Sequence, residues 1–358
     1  MYLQINELLG NAQVVQAVII RAKERGLDEI YWMKHFGFKQ TMSRTFKTYF
    51  GTQMGVTAGS IIDKNANKPL RDRSGLGSGV LEVIQFGDRY QIDNNRLDEL
   101  QALINIFNNA KVEDQGKVMT DIIDYLVDDF RQCILAPHKA MDIIVDSLRS
   151  KGAISESDIT QGVGLEAFSL PANLISPATS DKANFLTYLR GKMEELKVKY
   201  GKYALMEMSR STFNKNIIGC SEFGTTYKSI LGSKEEFTLT SGLITQEMAS
   251  QVLQGVGLPA IRINEDLVQM SDGSFKQIFA DNRISLFQKD RQGDMRWYQT
   301  YEPTDPVPTK VYTRQDGGMY IATQRTDEGR FTEYMAEWVP EFKSPNNITI
   351  FNLDTMNA

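Results

Sequence analysis

Residues 117–149 read KVMTDIIDYLVDDFRQCILAPHKAMDIIVDSLR, and this stretch decides the fold. Its apolar residues recur at spacings of three and four, which predicts one apolar stripe along a helix of about 50 Å. The opposite face, expected to meet solvent or another molecule, carries Asp121, Asp124, Asp128, Asp129, Lys139, Asp142 and Arg149. Pro137 predicts a kink, and Gly152 predicts the helix end. Glu113 and Asp114 suit the first turn of this helix.

The composition is that of an ordinary folded protein, because 41% of the 358 residues are hydrophobic and 24% are charged. No apolar run approaches the roughly 18 residues of a membrane span, and the N-terminus lacks a signal-peptide pattern, so we expect a cytosolic chain. Two isolated cysteines, Cys133 and Cys220, form neither a disulfide framework nor a zinc site. The net charge of −5 argues against a protein built to hold nucleic acid tightly.

Residues 27–50 are dense in aromatic and basic side chains, among them Trp32, Phe36 and Phe38 with Lys39 and Arg44. One interpretation is an N-terminal arm whose rings pack on a neighbouring surface. The other is a stacking platform for single-stranded nucleic acid. The acidic balance of the whole chain favours packing.

A long hairpin is predicted next, with an outgoing strand near residues 49–62 and a return strand near 80–92. The return strand alternates, so that Ile84, Phe86, Tyr90 and Ile92 share one face. Between the strands, DKNANKPLRDRSGLGSG is polar and rich in turn formers. A connection of that length suits a projecting loop that a partner orders. A short helix near residues 95–107 follows.

The rest of the chain alternates between helices and strands, which predicts an α+β fold. Residues 152–176 predict a small hairpin turned at Gly162 and Gly164. Helix 185–200 precedes the strand YALMEM, and Ser209 or Ser211 is expected to cap the following helix. We expect a strand at 237–240 and a helix capped by Ser241, then further strands. From about residue 295 the chain is rich in strands, which we expect to fold back onto the long helix.

Nothing in the sequence argues for catalysis, and the protein is predicted not to be an enzyme and to need no cofactor. His138 lacks metal-ligand spacing and is expected to be a partly exposed surface histidine. The glycine-rich run from Gly75 to Gly79 is the only feature that favours a nucleotide-dependent enzyme. A dinucleotide fingerprint requires a strand before it and a helix after it, whereas here a polar loop precedes and an alternating strand follows.

Several segments, in this order, resemble the major capsid proteins of tailed bacteriophages, and most closely the capsid protein E family typified by phage lambda. The segments are VLEVIQFGDRYQID before the long helix, LRSKGAISESDITQGVGLEAF after it, YALMEMSRSTFNKNI, GLPAIRINEDLVQMSDGSFKQIFADNRISLF and EWVPEFKSPNNITIFNL. The resemblance covers most of the chain from about residue 45.

The resemblance implies the Hong Kong 97-type capsid fold and a division into five parts. These are an N-terminal arm (1–44), an extended loop (45–92), a peripheral domain (93–183) with a spine helix (113–150), an axial α+β domain (184–320), and C-terminal strands (321–358) that return to the peripheral domain. Some relatives cross-link a lysine to an asparagine, but nothing in the spacing here selects Lys64, Lys68, Asn346 or Asn347 for that role.

The resemblance also implies a structural subunit that forms hexamers and pentamers of an icosahedral shell around phage double-stranded DNA, without sequence-specific DNA contacts. The expected location is the virion capsid, assembled in the host cytoplasm, with no membrane contact. Further partners would be portal, scaffolding and decoration proteins. Inter-subunit contacts are expected from Lys68, Arg71, Asp72 and Arg73. An alternative is an encapsulin-like compartment of the same fold, which would hold cargo enzymes rather than DNA.

Overall fold

The predicted long helix is present in the computed structural model of the chain and runs from Val112 to Lys151, 40 residues. It continues through Pro137, and Gly152 follows it with a φ of +73°. The structure describes residues 3–24, 30–51, 76–159, 168–231, 244–270 and 272–357. The expected strand 237–240, the proposed cap Ser241 and the hairpin turn at Gly162 and Gly164 lie outside these residues.

The helices predicted near residues 95–107 and at 185–200 are present as Asn94–Asn109 and Phe185–Tyr200, and the chain also contains helices that the apolar periods did not predict. The helices are α1 (Ile5–Leu9), α2 (Ala12–Glu24), α3 (Asn94–Asn109), α4 (Val112–Lys151), α5 (Phe185–Tyr200), α6 (Arg210–Thr212, continued by a π-helical turn Phe213–Ile218), α7 (Ser221–Leu231), α8 (Gln246–Gly255) and α9 (Asp354–Asn357). Ser209 caps α6 as predicted, because its hydroxyl accepts a hydrogen bond from the Thr212 amide. The cap of α8 is Thr245 and not Ser241, since Thr245 accepts the amide of Met248.

The strands fall into two larger sheets and three small ones. The strands are β1 (Phe36–Gln40), β2 (Thr45–Gly51), β3 (Leu76–Glu82), β4 (Ile84–Ile92), β5 (Ala153–Ile154), β6 (Phe168–Ser169), β7 (Asn173–Ile175), β8 (Leu205–Ser209), β9 (Ala260–Asn264), β10 (Leu267–Gln269), β11 (Phe275–Gln277), β12 (Arg283–Phe287), β13 (Gly293–Trp297), β14 (Lys310–Arg314), β15 (Tyr320–Thr326), β16 (Gly329–Phe342) and β17 (Thr349–Asn352). The small sheets pair β2 with β3, β5 with β6, and β10 with β11.

Two compact units divide the described chain. The first comprises 1–46, 80–141 and 294–341, and the second comprises 47–79, 142–293 and 342–358, so α4 contributes to both. The first unit is built on a sheet of order β1-β13-β16-β15-β14, with β4 paired to β16. Helices α1 and α2 belong to this unit, and they bury Leu8, Leu9, Val15, Val18, Ile19 and Ala22.

The second unit is built on a sheet of order β7-β17-β12-β8-β9. Its outer pairs, β7 with β17 and β8 with β9, are parallel, while β12 runs antiparallel to both of its neighbours. Apolar residues of α5, α7 and α8 pack with those of the strands into one core, which includes Leu189, Met206, Phe223, Val252 and Phe351. All five side chains are fully buried.

The pairing of the predicted long hairpin differs from the expectation. The described part of the outgoing strand, β2, pairs with β3, and residues 52–62 of the prediction lie outside the described residues. Strand β4 pairs instead with β16, in a register from Arg330↔Ile92 to Trp338↔Ile84. Alternation predicted the two faces of β4 correctly, and Ile92 is buried. Alternation does not show which strand lies beside β4, because pairing with a segment about 240 residues away depends on the tertiary fold.

The backbone at Gly317 passes close to the ring of Phe38. Gly317 has φ +69°, and a Cβ there would lie 2.3 Å from Cε1 of Phe38. Gly257 is a matched control, since it has φ +88° with open space around the missing Cβ. Alanine at either position adds roughly 1–2 kcal/mol of left-handed strain. Gly317→Ala should lower the free energy of unfolding by a further 1–3 kcal/mol or so, through overpacking. Urea unfolding measures both losses, and equal losses would contradict the close packing.

Candidate functional site

The residues predicted to contact neighbouring subunits lie outside the described residues. Lys68, Arg71, Asp72 and Arg73 fall in 52–75, between β2 and β3. Their role therefore stays a prediction. Among the described residues, two buried centres, one in each unit, contain side chains of α4.

The first centre is an aromatic cluster around Trp338 of β16. The Trp338 ring centroid lies 4.8 Å from that of His138, 5.2 Å from that of Phe38 and 6.1 Å from that of Trp32. The Trp338 indole N–H donates to the Gly317 carbonyl at 2.7 Å. The cluster joins the middle of α4 to β1 and β16 within the first unit. Such ring contacts add to the free energy gained from burying their area.

His138 is a core residue, and the expectation of a surface histidine was wrong. Its side chain stacks on Trp32, whose indole N–H donates to His138 Nδ1 at 3.3 Å. Burial lowers the pKa of His138 to about 3, helped by the positive charge of Lys23. The imidazole is therefore neutral at physiological pH and serves as a packed ring with one accepting nitrogen. Its position on the helix revealed nothing of this, because its partners come from distant segments.

Residues 30–46 of the aromatic and basic stretch belong to the chain's own first unit. Trp32 and Phe36 are buried. The guanidinium of Arg44 pairs with Glu337 at 2.7 Å, and the ammonium of Lys39 lies 3.8 Å from Asp294. The hydrogen bond to Glu337 is the main cause of a raised pKa at Arg44. Trp32 and Phe36 are therefore not available to stack on bases, whereas Tyr49 is 62% exposed. A stacking platform requires several exposed rings in a positively charged groove.

The second centre is a buried charge cluster on the last turns of α4. Arg149 is 0% exposed, and its guanidinium donates to Asp146 at 2.6 Å and to Glu207 of β8 at 2.5 Å. The side-chain amide of Asn264, at the end of β9, donates to both carboxylates, at 3.1 and 3.0 Å. The Phe287 ring centroid lies 4.9 Å from the guanidinium carbon. The cluster fixes the end of α4 to three neighbouring strands of the second unit.

The polar face of the long helix is therefore not entirely a solvent face. Asp142 and Arg149 are buried, which corrects the expectation, whereas Asp121 and Asp128 are exposed. Every residue from 141 to 150 is buried. Burial raises the pKa of Asp146, and the charge of Glu207 adds to this, while Arg149 opposes it. An Asp and an Arg three residues apart on a buried helix are the signal that could have suggested an internal ion pair.

The described residues bear on the features of metal and nucleotide sites that the sequence raised. Both cysteines are buried. No group of three or more His, Cys, Asp or Glu residues there could hold a metal ion. Residues 76–79 of the glycine-rich run lie on β3 and are followed by another strand, not by the helix of a phosphate-binding loop. No helix in the described part of the chain has the length and apolarity to cross a bilayer.

Comparison with known proteins identifies the fold. No family model matches the chain, and no curated protein sequence matches it. A phage-related protein of Bordetella bronchiseptica RB50 is similar in structure, with a TM-score of 0.52, 9% identity, and coverage of 96% of this chain and 98% of that chain. A protein assigned as a prophage capsid protein in Escherichia coli CFT073 has a TM-score of 0.51 and 10% identity, and the match covers 96% and 99% of the two chains. The fold is of the Hong Kong 97 type.

This fold agrees with the α+β class that the sequence predicted. At 9–10% identity the similarity concerns the path of the chain and not individual side chains. In the Hong Kong 97-type fold of this protein, both buried centres lie along α4. They are positioned to keep the long helix attached to the sheet of each unit.

Proposed function

We propose that this chain is the major capsid protein of a tailed bacteriophage. It would form hexamers and pentamers that close into an icosahedral shell around double-stranded DNA. The observation that carries the proposal is the similarity to the capsid fold, because it extends over 96% of the chain. Fold alone does not establish function, so the proposal also rests on the surface and on the buried centres.

The surface of the chain offers apolar side chains that a shell would cover. On the β10–β11 hairpin, Val268 is buried, while the other face exposes Leu267 and Phe275, the latter to 69%. Val112 and Val198 are also largely exposed. Large interfaces between identical subunits bury side chains of this kind. The net charge of −5 is compatible with a wall that confines DNA without holding it through many phosphate contacts.

We propose that the parts of the chain divide by role in the shell. Residues 1–44 form the arm, 45–92 the extended loop, 93–183 the peripheral domain, 184–320 the axial domain, and 321–358 the returning strands. This division differs from the division by contacts, in which residues 294–320 belong with the first compact unit. Portal, scaffolding and decoration proteins would be further partners. The location would be the virion, with assembly in the host cytoplasm, and the role would be structural, not enzymatic.

Electron microscopy and size exclusion of the purified chain test the proposal. Closed shells of megadalton mass are expected under assembly conditions. Shells from infected cells should contain nuclease-protected double-stranded DNA, and shells that instead enclose a protein cargo would indicate an encapsulin-like compartment. A well-folded protein that stays monomeric under all assembly conditions would contradict the proposal.

Charge reversal in the extended loop is expected to block assembly. Arg71→Glu with Arg73→Glu should abolish shells while leaving the subunit folded, because inter-subunit ion pairs would become like-charge contacts, each costing several kcal/mol or so. Arg71→Lys with Arg73→Lys keeps both charges and is the matched control, which should still assemble. Micrographs show the shells and circular dichroism shows the fold. Normal shells from the charge-reversed protein would remove this role from the loop.

A further inference from the structure

A cavity in the first unit contains two arginines without acidic partners. The cavity has a volume of about 490 Å³, within the range of small-ligand sites. Arg325 and Arg330 line it together with the side-chain amides of Gln4, Asn6 and Gln101. In the part of the chain that the structure describes, no carboxylate lines the cavity, and neither arginine forms an ion pair with one.

The two arginines lie directly opposite each other in the sheet. Arg325 of β15 and Arg330 of β16 are register partners, a position in which like charges destabilise the pairing. Arg330 is only 4% exposed, so its charge is also largely removed from water. Its guanidinium donates to Asn6 Oδ1 at 2.6 Å, which is a neutral acceptor. Burial lowers the pKa of Arg330, and the charge of Arg325 lowers it further.

A bound anion would offset both the repulsion between the two guanidinium groups and the cost of burying the Arg330 charge. Guanidinium groups match the oxygen geometry of phosphate, and two of them with neighbouring amides provide several donors around one oxyanion. Ile5 and Leu97 complete the lining and give it an apolar side. The cavity is therefore larger than one phosphate group needs, and it has room for a small organic substituent. The burial of Arg330 makes it a poor contact for the phosphates of duplex DNA, which do not enter a concave pocket.

We propose that this pocket binds a small phosphate-type oxyanion, either inorganic phosphate or a phosphate monoester, through the guanidinium groups of Arg325 and Arg330. The proposal does not depend on shell assembly, since every residue involved lies in one unit of one chain. The ligand would stabilise the junction between α1, α3 and the β15–β16 hairpin, because all four elements contribute to the lining.

Calorimetry and thermal unfolding of the full chain test this site with three probes: inorganic phosphate, adenosine monophosphate and a short DNA duplex, each at matched ionic strength. Phosphate or the monophosphate should bind and raise the unfolding temperature. The probe that binds more tightly shows whether the pocket prefers inorganic phosphate or a phosphate monoester. Arg325→Gln should weaken that binding by about 10- to 100-fold, because it removes a charged donor. Without ligand, the same variant should unfold at the wild-type temperature or above it, because a like-charge contact is lost.

Arg314→Gln is the matched control, since Arg314 is an exposed arginine on the adjacent strand β14. It should keep the full response to phosphate. The proposal is overturned if phosphate and the monophosphate stabilise the wild type no more than chloride does. It is also overturned if Arg325→Gln keeps the response, or if only the duplex binds in an Arg325-dependent way. Because Arg325 is exposed, the variant is expected to fold, and the test does not rely on replacing the buried Arg330.

Discussion

Arg149→Ala is expected to lower the free energy of unfolding by about 3–5 kcal/mol, because it removes the guanidinium that two buried carboxylates both contact. Asp146 and Glu207 both contact the Arg149 guanidinium, and both are almost fully buried. The remaining Asn264 amide can donate to both, but it carries no charge. Urea unfolding monitored by circular dichroism measures the loss.

Two control proteins separate the charge effect from loss of packing. Arg210→Ala removes an arginine from an exposed pair with Glu265, in which both side chains are about half exposed, so a loss of only about 0–1 kcal/mol is expected. Arg149→Met combined with Asp146→Asn and Glu207→Gln removes all three charges while keeping similar volumes. Its loss should be well below that of Arg149→Ala. Equal losses in the two Arg149 proteins would mean that shape, not charge, governs the cluster.

The loss in Arg149→Ala should also depend on pH. Burial already raises the pKa of Asp146 in the wild type, and removal of Arg149 takes away the charge that opposes this shift. A raised folded-state pKa means that the folded protein binds the proton more tightly than the unfolded chain. The contribution to stability is then complete below the unfolded pKa of about 4 and is lost as the pH rises through the folded value. The variant should therefore regain stability relative to the wild type as the pH is lowered from 8 towards 5.

Local patterns were sufficient to predict several elements of this fold. The apolar period of residues 117–149 predicted α4, and alternation from Ile84 to Ile92 predicted β4. The glycine at 201, with φ +92°, ends α5 as expected. These features depend on neighbours within a few residues of each other, and the sequence displays such neighbours directly.

The buried centres could not be predicted in the same way. An apolar period shows which face of a helix must be covered, but it does not show that the polar face is covered too. Arg149 donates to Glu207, 58 residues away, and Asn264, still further along the chain, donates to the carboxylates of Asp146 and Glu207. His138 likewise meets Trp32 and Trp338 from opposite ends of the sequence. Only the tertiary arrangement decides whether such polar groups face water or each other.

Trp338→Ala should be comparably damaging, with an expected loss of about 3–5 kcal/mol, because it removes a large buried ring from a packed core. Trp338 is 0% exposed and contacts the rings of Phe38, Phe86 and His138. Since these rings come from three separate elements, the cavity would loosen β1, β4 and α4 together. The unfolding temperature of the first unit should fall, and binding of a hydrophobic dye should increase at moderate temperature.

Trp338→Phe separates the contribution of the aromatic ring to stability from that of the indole hydrogen bond. Phenylalanine keeps much of the aromatic contact but leaves the Gly317 carbonyl without the indole N–H that donates to it at 2.7 Å. An unsatisfied buried acceptor costs about 1–3 kcal/mol, so the loss should lie below that of the alanine variant. If shell assembly depends on a rigid first unit, assembly yield should follow the same order: wild type, Trp338→Phe, Trp338→Ala. If the alanine variant assembles fully up to the highest temperature at which the wild type assembles, the cluster supports folding of the subunit but not the geometry of the wall.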